Sequence, residues 1–298
     1  MRVTNNMVTA GIVAQLQQLE TQQSTLQTQV SSGLAVTQPS DNPSAFGQVI
    51  QEEGQSSQLA QYNANANQAL NLTQSSYGGL QSLTSIYDRA TQLATDASGT
   101  LGASANQSYA DELNQLIEQA VSTANSQFNG NYLYAGTAVN TAPFTTSTDS
   151  NGNITGVTYV GNSTQTSIPL SATSSVATGT TGTTNAGLAT MINNMIAVRD
   201  AMNSGSAAAL DTAQTNLIND ENTLSDAVAQ NGAVQLRIQS EQTQGQSSAS
   251  ELSQLISNQT SADLPSTITK LSQAQLAYQA ALETSSRVMQ LSLVDYIH

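Results

Sequence analysis

Cysteine and tryptophan are missing from this 298-residue chain, and histidine occurs once, as the last residue, His298. The chain therefore forms no disulfide, presents no thiolate nucleophile and builds no cysteine-based zinc site. It also lacks an interior imidazole to act as a general base. These absences exclude several classes of enzyme and metalloprotein.

Charged and aromatic side chains are also scarce. Six basic residues stand against twenty acidic ones, for a net charge of −14, and 9% of the residues are charged, 4% aromatic. Average soluble domains contain roughly 25% charged residues, so solubility here must come from Gln, Asn, Ser and Thr. Binding to nucleic acid or to an anionic membrane needs clustered Lys and Arg, which this chain lacks. We therefore expect no nucleic-acid partner and no membrane partner.

Long apolar runs are the third absence. No stretch approaches the roughly 18 apolar residues that span a bilayer. The apolar run "MVTAGIVA" near the N-terminus is eight residues long and is followed by no convincing cleavage site. We predict neither a transmembrane helix nor a conventional signal peptide.

Sequence patterns of enzymes and cofactor sites are absent too. There is no P-loop, GxSxG, HExxH or glycine-rich dinucleotide pattern. Adjacent acids such as Glu52-Glu53 point about 100° apart on a helix and cannot form a shared acid–base site unaided. "DSNGNITG" at 149–156 is loosely similar to a calcium loop but lacks the bidentate glutamate. We expect no enzyme activity, no cofactor and no metal.

Residues 3–31 are predicted to form one long amphipathic helix. The positions with 4-3-4-3-4 spacing form a stripe, here called the N-terminal seam: Ile12, Leu16, Leu19, Gln23, Leu26 and Val30. This spacing is typical of a coiled coil, with one polar member. It also suits an amphipathic helix that packs on the core of its own domain, and both interpretations remain open.

A helix break that is indicated by several residues follows in "SSGLAVTQPSDNP", residues 31–43. Gly33 suits the left-handed conformation that ends a helix, and Pro39 disfavours helical backbone at the residue before it. Asn42 is a good N-cap and Pro43 a good first residue for the next helix.

Helical periodicity then returns on both sides of a region of different composition. It covers residues 44–97, with Gly78-Gly79 inside, where we expect a kink or a tightly packed backbone. Further helices are predicted over about 105–127, from 186 to a turn at 203–205, and over about 206–260.

Residues 129–185 are rich in Thr, Ser, Gly and Asn and contain short alternating runs. Turn signals at Asn151-Gly152 and Gly161-Asn162 favour a small β-rich insertion over a disordered linker. The apolar residues available for its core are Ile154, Val157, Tyr159, Ile168 and Leu170.

The chain ends as it begins, with a proline-containing break (261–266) beside a long helix (266–296). That helix is apolar over a wide face, which includes Leu271, Tyr278, Leu282, Met289 and Leu293. Such ends most simply pair with one another or with copies of themselves. We therefore divide the chain into terminal assembly helices (1–42 and 262–298), a helical body (43–128 and 186–261) and the β-rich insertion (129–185).

Motifs at both ends carry a family resemblance. They are "MRVTNNM" at 1–7, "LQTQVSSGLAVTQPSDNPSAFGQ" at 26–48, "FNGNYLYAGTAVNTAPF" at 128–144 and "AQLAYQAALETSSRVMQLSLVDYI" at 274–297. The chain resembles the flagellin-like axial proteins of bacterial flagella, and within them the hook-associated protein 3 family. The two prolines of "PSDNP" and the ending "LSLVDYI" favour this family over flagellin. One departure is "PSDN", where the family more often has two aspartates.

The resemblance implies an elongated, mainly α structural subunit with a flagellin-like multi-helix bundle or coiled-coil body and termini brought together. It implies export through the flagellar type III apparatus without a cleaved signal peptide, and a place in the extracellular flagellum, at the hook–filament junction. Its partners would be copies of itself, the first hook-associated protein, flagellin and an export chaperone. The residues expected at subunit interfaces are Ile12, Leu16, Leu19, Leu26, Val30, Leu271, Tyr278, Leu282, Met289 and Leu293.

Two alternatives remain from the sequence. One is a flagellin or minor flagellin, which would polymerise by itself into filaments. The other is a secreted adhesin whose insertion binds a glycan, with Tyr132, Tyr134, Tyr159 and Phe144 as candidate stacking residues, although these aromatics equally suit a small core.

Overall fold

The structure, a computed structural model, describes the backbone of residues 5–99 and 103–296 and the side chains of residues 10–99 and 105–287. The helices are α1 (Asn5–Ser32), α2 (Pro43–Ala97), α3 (Ala103–Ala124), α4 (Gly182–Ser204), α5 (Ala207–Asn219), α6 (Glu221–Thr260) and α7 (Leu264–Tyr296). The strands are β1 (Gln127–Phe128), β2 (Asn131–Tyr132), β3 (Phe144–Thr148), β4 (Ile154–Tyr159), β5 (Ser167–Pro169) and β6 (Ser175–Ala177). The predicted class, mainly α with a β-rich insertion, is confirmed.

One compact unit contains the residues up to Gln58 and those from Ser248 onward. In it α1 packs against α7, so the predicted pairing of the two terminal helices is confirmed. The start of α2 and the end of α6 meet at a polar contact, where Gln259 Nε2 donates to Glu52 Oε1 at 3.0 Å. The buried apolar side chains of this unit are few and come from all four helices: Leu26, Val49, Leu252 and Ala274.

The second unit, Leu59–Ser247, holds most of the buried apolar side chains. Its main core joins α2, α3, α4 and α5 with β3 and β4, and the aliphatic side chains at its centre are Leu80, Leu83, Leu113, Ile117, Leu188 and Ile192. A smaller cluster lies under β5 and β6, where Leu170 and Val176 contact Ile238 of α6. Among the described residues, no helix has both the length and the apolar character needed to cross a bilayer.

The insertion consists of short antiparallel pairs, and within the described residues they form three two-stranded sheets. β3 pairs with β4 through the predicted Asn151-Gly152 turn, where Gly152 has φ +88°. The predicted turn at Gly161-Asn162 joins no pair of strands, because β5 begins at Ser167 and pairs with β6, through a turn at 171–174. Ile154, Val157 and Leu170 are buried, so the apolar residues that favoured strands over a linker supply the packing.

Two helix predictions need adjustment. The helical run predicted over 206–260 is divided at Asp220, between α5 and α6. The carboxylate of Asp220 accepts a hydrogen bond from Asn194 Nδ2 of α4 at 2.7 Å, a tertiary contact that the sequence pattern does not contain. The second adjustment concerns Gly78-Gly79, because α2 continues through both glycines without interruption.

Gly79 lies directly against a buried tyrosine. Tyr134 is fully buried, and its hydroxyl donates to the Ser76 carbonyl at 2.8 Å. Burial raises the pKa of this hydroxyl, which therefore stays a neutral donor. A Cβ added at residue 79 would overlap the Tyr134 hydroxyl, whereas outside the adjacent turns of α2 no described atom lies within 4 Å of the same position at Gly78. The tightly packed backbone expected at the glycine pair thus belongs to Gly79.

We expect opposite effects from alanine at these two neighbouring glycines. Gly79→Ala lowers the free energy of unfolding by about 1–3 kcal/mol, because the buried Tyr134 ring has little room to move. Gly78→Ala raises it by up to about 1 kcal/mol, because alanine favours an exposed helix. Urea unfolding followed by circular dichroism measures both, and equal effects would contradict the assigned contact.

The environment of Asp220 predicts that the stability of the fold depends on pH. Burial, opposed by the hydrogen bond from Asn194, raises its pKa above the ordinary value of 3.8. The stability from this carboxyl is therefore present below pH 3.8 and is lost as the pH rises through the raised pKa. Asp220→Asn keeps an oxygen acceptor and should gain stability relative to the parent between about pH 4 and pH 7. Thermal unfolding of both proteins over that pH range measures this difference. Melting temperatures of the parent and of Asp220→Asn that change in parallel with pH would contradict the assignment.

Candidate assembly surface

The N-terminal seam faces inward on α1. Leu26 is buried and the other predicted members are half-buried, while the neighbouring Val13 is 43% exposed. Ile12 and Leu16 border a cavity of about 410 Å³ whose other wall includes Ala281 and Ser285 of α7. The seam thus packs against the other terminal helix of the same chain.

The matching face of α7 has the same 4-3-4-3-4 spacing but smaller side chains. Its buried or half-buried positions are Thr267, Leu271, Ala274, Tyr278, Ala281 and Ser285. Sequence reasoning included Leu271 and Tyr278 and missed the two hydroxyl residues. Thr267 donates to the carbonyl of Asp263, the residue before α7, at 2.8 Å, and Ser285 donates to the Ala281 carbonyl at 2.5 Å. Both hydroxyls are thus satisfied without a partner on α1. The recurrence of small residues at heptad spacing is the signal that could have identified them.

A second apolar stripe on α7 is exposed. Leu264, Ile268 and Leu282, here called the α7 ridge, are 41%, 49% and 44% exposed. Spacings of four and fourteen residues place them on one side of the helix, next to the face that packs on α1. Met289 and Leu293 lie further along α7, outside the residues whose side chains are described.

The break after α1 is held by polar contacts. Gly33 has φ +72°, in the left-handed region. Asn42 Oδ1 accepts from the Ala45 amide at 3.1 Å, and Pro43 is the first residue of α2. Pro39 lies in the turn that Asp41 closes, because the Asp41 carboxylate accepts from the Thr37 and Gln38 amides at 2.9 and 3.0 Å. The backbone amide of Thr37 is the largest of the contributions that lower the pKa of Asp41.

The breaks at the two ends of the chain are joined by backbone hydrogen bonds. The Ala35 amide donates to the Thr260 carbonyl at 2.6 Å, and the Ala262 amide donates to the Gly33 carbonyl at 2.9 Å. Leu34 and Ser261 form an antiparallel bridge between them. This link sets the relative register of α1 and α7, because α1 ends just before it at Ser32 and α7 begins just after it at Leu264.

The other candidate sites have structural explanations. Both oxygens of Asp149, in the calcium-like run, accept hydrogen bonds from N–H groups of Asn151 and Asn153. The side chain of Asn153 contributes most to lowering the pKa of Asp149, and such a donor shell opposes a cation. Among the described residues, no group of three or more His, Cys, Asp or Glu side chains is placed to hold a metal ion.

The aromatic residues of the insertion serve mainly as core. Tyr134 and Phe144 are buried, and the Phe144 and Tyr159 rings lie 5.4 Å apart between centroids. Tyr132 is half-buried and lines a cleft between α2 and the insertion.

Comparisons with known proteins agree with this architecture. Residues 3–139 match the model of the bacterial flagellin N-terminal helical region. The flagellar hook-associated protein 3 of Salmonella typhimurium is 34% identical over 120 residues, which are 39% of this chain and 37% of that protein. The chain thus matches little more than a third of the length of this curated relative.

Solved structures give a similar fold. A Vibrio parahaemolyticus protein described as a flagellar hook-associated protein superposes with a TM-score of 0.66 at 17% identity, covering 74% of this chain and 100% of its own. The FlgL protein of Bacillus cereus superposes with a TM-score of 0.58 at 20% identity, covering 70% of this chain and 99% of its own. The resemblance of the sequence to the flagellin-like axial proteins, and within them to hook-associated protein 3, is therefore confirmed.

Proposed function

We propose that this chain is a structural subunit of the bacterial flagellum, a hook-associated protein that forms the junction between hook and filament and templates flagellin polymerisation. The sequence match to hook-associated protein 3 supports the proposal. Its role is structural rather than catalytic, and it acts outside the cell after export without a cleaved signal peptide. Its partners are copies of itself, the first hook-associated protein on the hook side, flagellin on the filament side and a flagellar export chaperone.

The observation that carries the assembly role is the exposed α7 ridge. The N-terminal seam is already packed on α7, so Ile12, Leu16 and Leu26 serve first a contact inside the chain. Leu264, Ile268 and Leu282 remain exposed although α7 packs against α1. Apolar side chains in a row on one helix face suit packing against another helix. We assign this ridge, continued by Met289 and Leu293 in the sequence, to contacts between subunits.

Low charge supports close packing of many copies. Only 9% of the residues are charged, so identical surfaces meet with few like-charge contacts despite the net charge of −14. The α1–α7 pair also buries few large side chains, so contacts from neighbouring subunits add a substantial share of the apolar burial available to it. Assembly and order of the terminal helices are therefore coupled in this proposal.

The first test is deletion of the gene, with electron microscopy of the cells and an assay of flagellin in the medium. We expect bare hooks beside abundant secreted, unassembled flagellin, because filaments have no surface on which to start. Normal filaments on the deletion strain would contradict a junction role. Long filaments formed by the purified chain alone would instead identify a flagellin.

A second test separates assembly from folding. Leu282→Asp places a charge on the exposed ridge and should leave the thermal unfolding of the purified chain within a few degrees of the parent, since surface substitutions usually cost less than about 0.5 kcal/mol. Expressed in the deletion strain, it should fail to restore filaments, because a charge buried between subunits is strongly unfavourable.

Gln273→Asp is the matched control. Gln273 is exposed on α7, nine residues after Leu264 and therefore on roughly the opposite side of the helix from the ridge. We expect this variant to restore filaments. Normal filaments on Leu282→Asp, or equal failure of both variants, would refute a specific role for the ridge.

A further inference from the structure

A cleft in the second unit has no part in the proposed function. It lies between α2 and the insertion and has a volume of about 290 Å³, close to the lower end of the range for small-molecule sites. Phe128 and Tyr132 line it together with Gln68, Asn131 and Gln165. None of the described residues in its wall is charged. The wall therefore combines aromatic faces with neutral hydrogen-bonding groups.

Two buried hydroxyls in the same wall have no hydrogen-bond partner. Ser76 is 1% exposed and Thr178 is 2% exposed, and neither side-chain oxygen contacts a donor or acceptor among the described residues. Buried hydroxyls nearly always have partners, so two without them at one cleft require an explanation. Thr178 also borders a second cavity, between the insertion and α6, whereas Ser76 borders this cleft and not that cavity.

The backbone of Tyr132 and Leu133 at the cleft is unsuited to adding a peptide strand. The Tyr132 amide donates to the Val139 carbonyl at 2.9 Å, and the Leu133 amide donates to the Ser126 carbonyl at 3.1 Å. β1 and β2 also pair with each other. A peptide that binds by strand addition needs free main-chain donors and acceptors along an edge, and these two amides are already used.

The geometry points to a binding site for a neutral saccharide in this cleft. The aliphatic C–H face of a sugar ring packs on an aromatic ring such as Tyr132. Vicinal sugar hydroxyls both donate and accept, as do the amides of Asn131 and Gln68 and the hydroxyls of Ser76 and Thr178. An acidic sugar would find no positive charge here to pair with. This inference is independent of the junction role and is compatible with it.

The test is a titration of the full-length, ¹⁵N-labelled chain with glucose, galactose, N-acetylglucosamine and sialic acid, followed by amide chemical shifts. We expect at least one neutral sugar to shift the amides of Asn131, Tyr132 and Thr178, and sialic acid to leave them unchanged. Ser76→Ala and Thr178→Val should each weaken that binding by roughly three- to tenfold, the effect of one lost hydrogen bond. Tyr132→Ala, which removes the ring, should weaken it at least as much.

Thr158→Val is the control, because Thr158 is exposed on β4 and does not line the cleft. It should bind the sugar as the parent does. The melting temperature of Thr178→Val should equal or exceed that of the parent, because the variant removes a buried hydroxyl that has no partner. A lower melting temperature would show that the hydroxyl is bonded in the fold and would overturn the proposal.

Two further outcomes would also overturn it. The first is the absence of shifts with every neutral sugar, which would leave only water in the cleft. The second is a shift of the same amides with protein concentration and without sugar, which would assign the cleft to a second copy of the chain.

Discussion

Close approach of helices through small side chains is the constraint on which this structure depends. With 4% aromatic residues and no tryptophan, the core cannot be filled by large rings. Alanine takes their place, and Ala69, Ala90, Ala94, Ala120 and Ala124 are fully buried. Each alanine removes little apolar area from water, so many positions along long helices must contribute. Tyr134, the one fully buried tyrosine among the described side chains, fits because α2 presents a glycine beside it.

Half-buried asparagine side chains link strands to helices in this protein, a role that ion pairs often have in other proteins. Asn193 of α4 accepts from the Val157 amide and donates to the Val157 carbonyl, both at 2.8 Å, and so pairs with β4 as a neighbouring strand would. Asn125 makes the same two-way contact with Phe144 of β3. The buried Arg199 donates to the Ile154 carbonyl and to Asn114, and so joins β4 and α3 to α4. These contacts attach the short strands to the helices and satisfy backbone groups that would otherwise be left at sheet edges.

The terminal helices are packed differently from the helices of the second unit. The α1–α7 pair has a face that packs within the chain, a backbone link between the two breaks, and an exposed ridge beside them. A stripe of leucine and isoleucine in water is unfavourable for a monomer and useful to a subunit. In the proposed junction, the internal pairing prepares the surface that neighbouring subunits then cover.

The sequence by itself determined the helical class, the helix break at Gly33 and Asn42, the hairpin turn at Asn151-Gly152 and the seam of α1. These features depend on local properties: hydrophobic period, capping chemistry and turn preference. The sequence also contains the family resemblance, because motifs at both ends can be recognised without knowledge of the residues that they contact. The interruption at Asp220, the link between Gly33 and Ala262, and the contact of Gly79 with Tyr134 were decided by the tertiary structure alone. Each joins residues far apart in the chain, and no local pattern records such a contact. The tertiary structure alone also decided which apolar residues of α7 are exposed. The hydrophobic period of α7 includes both Leu271 and Leu282, and only packing against α1 leaves Leu271 half-buried and Leu282 exposed.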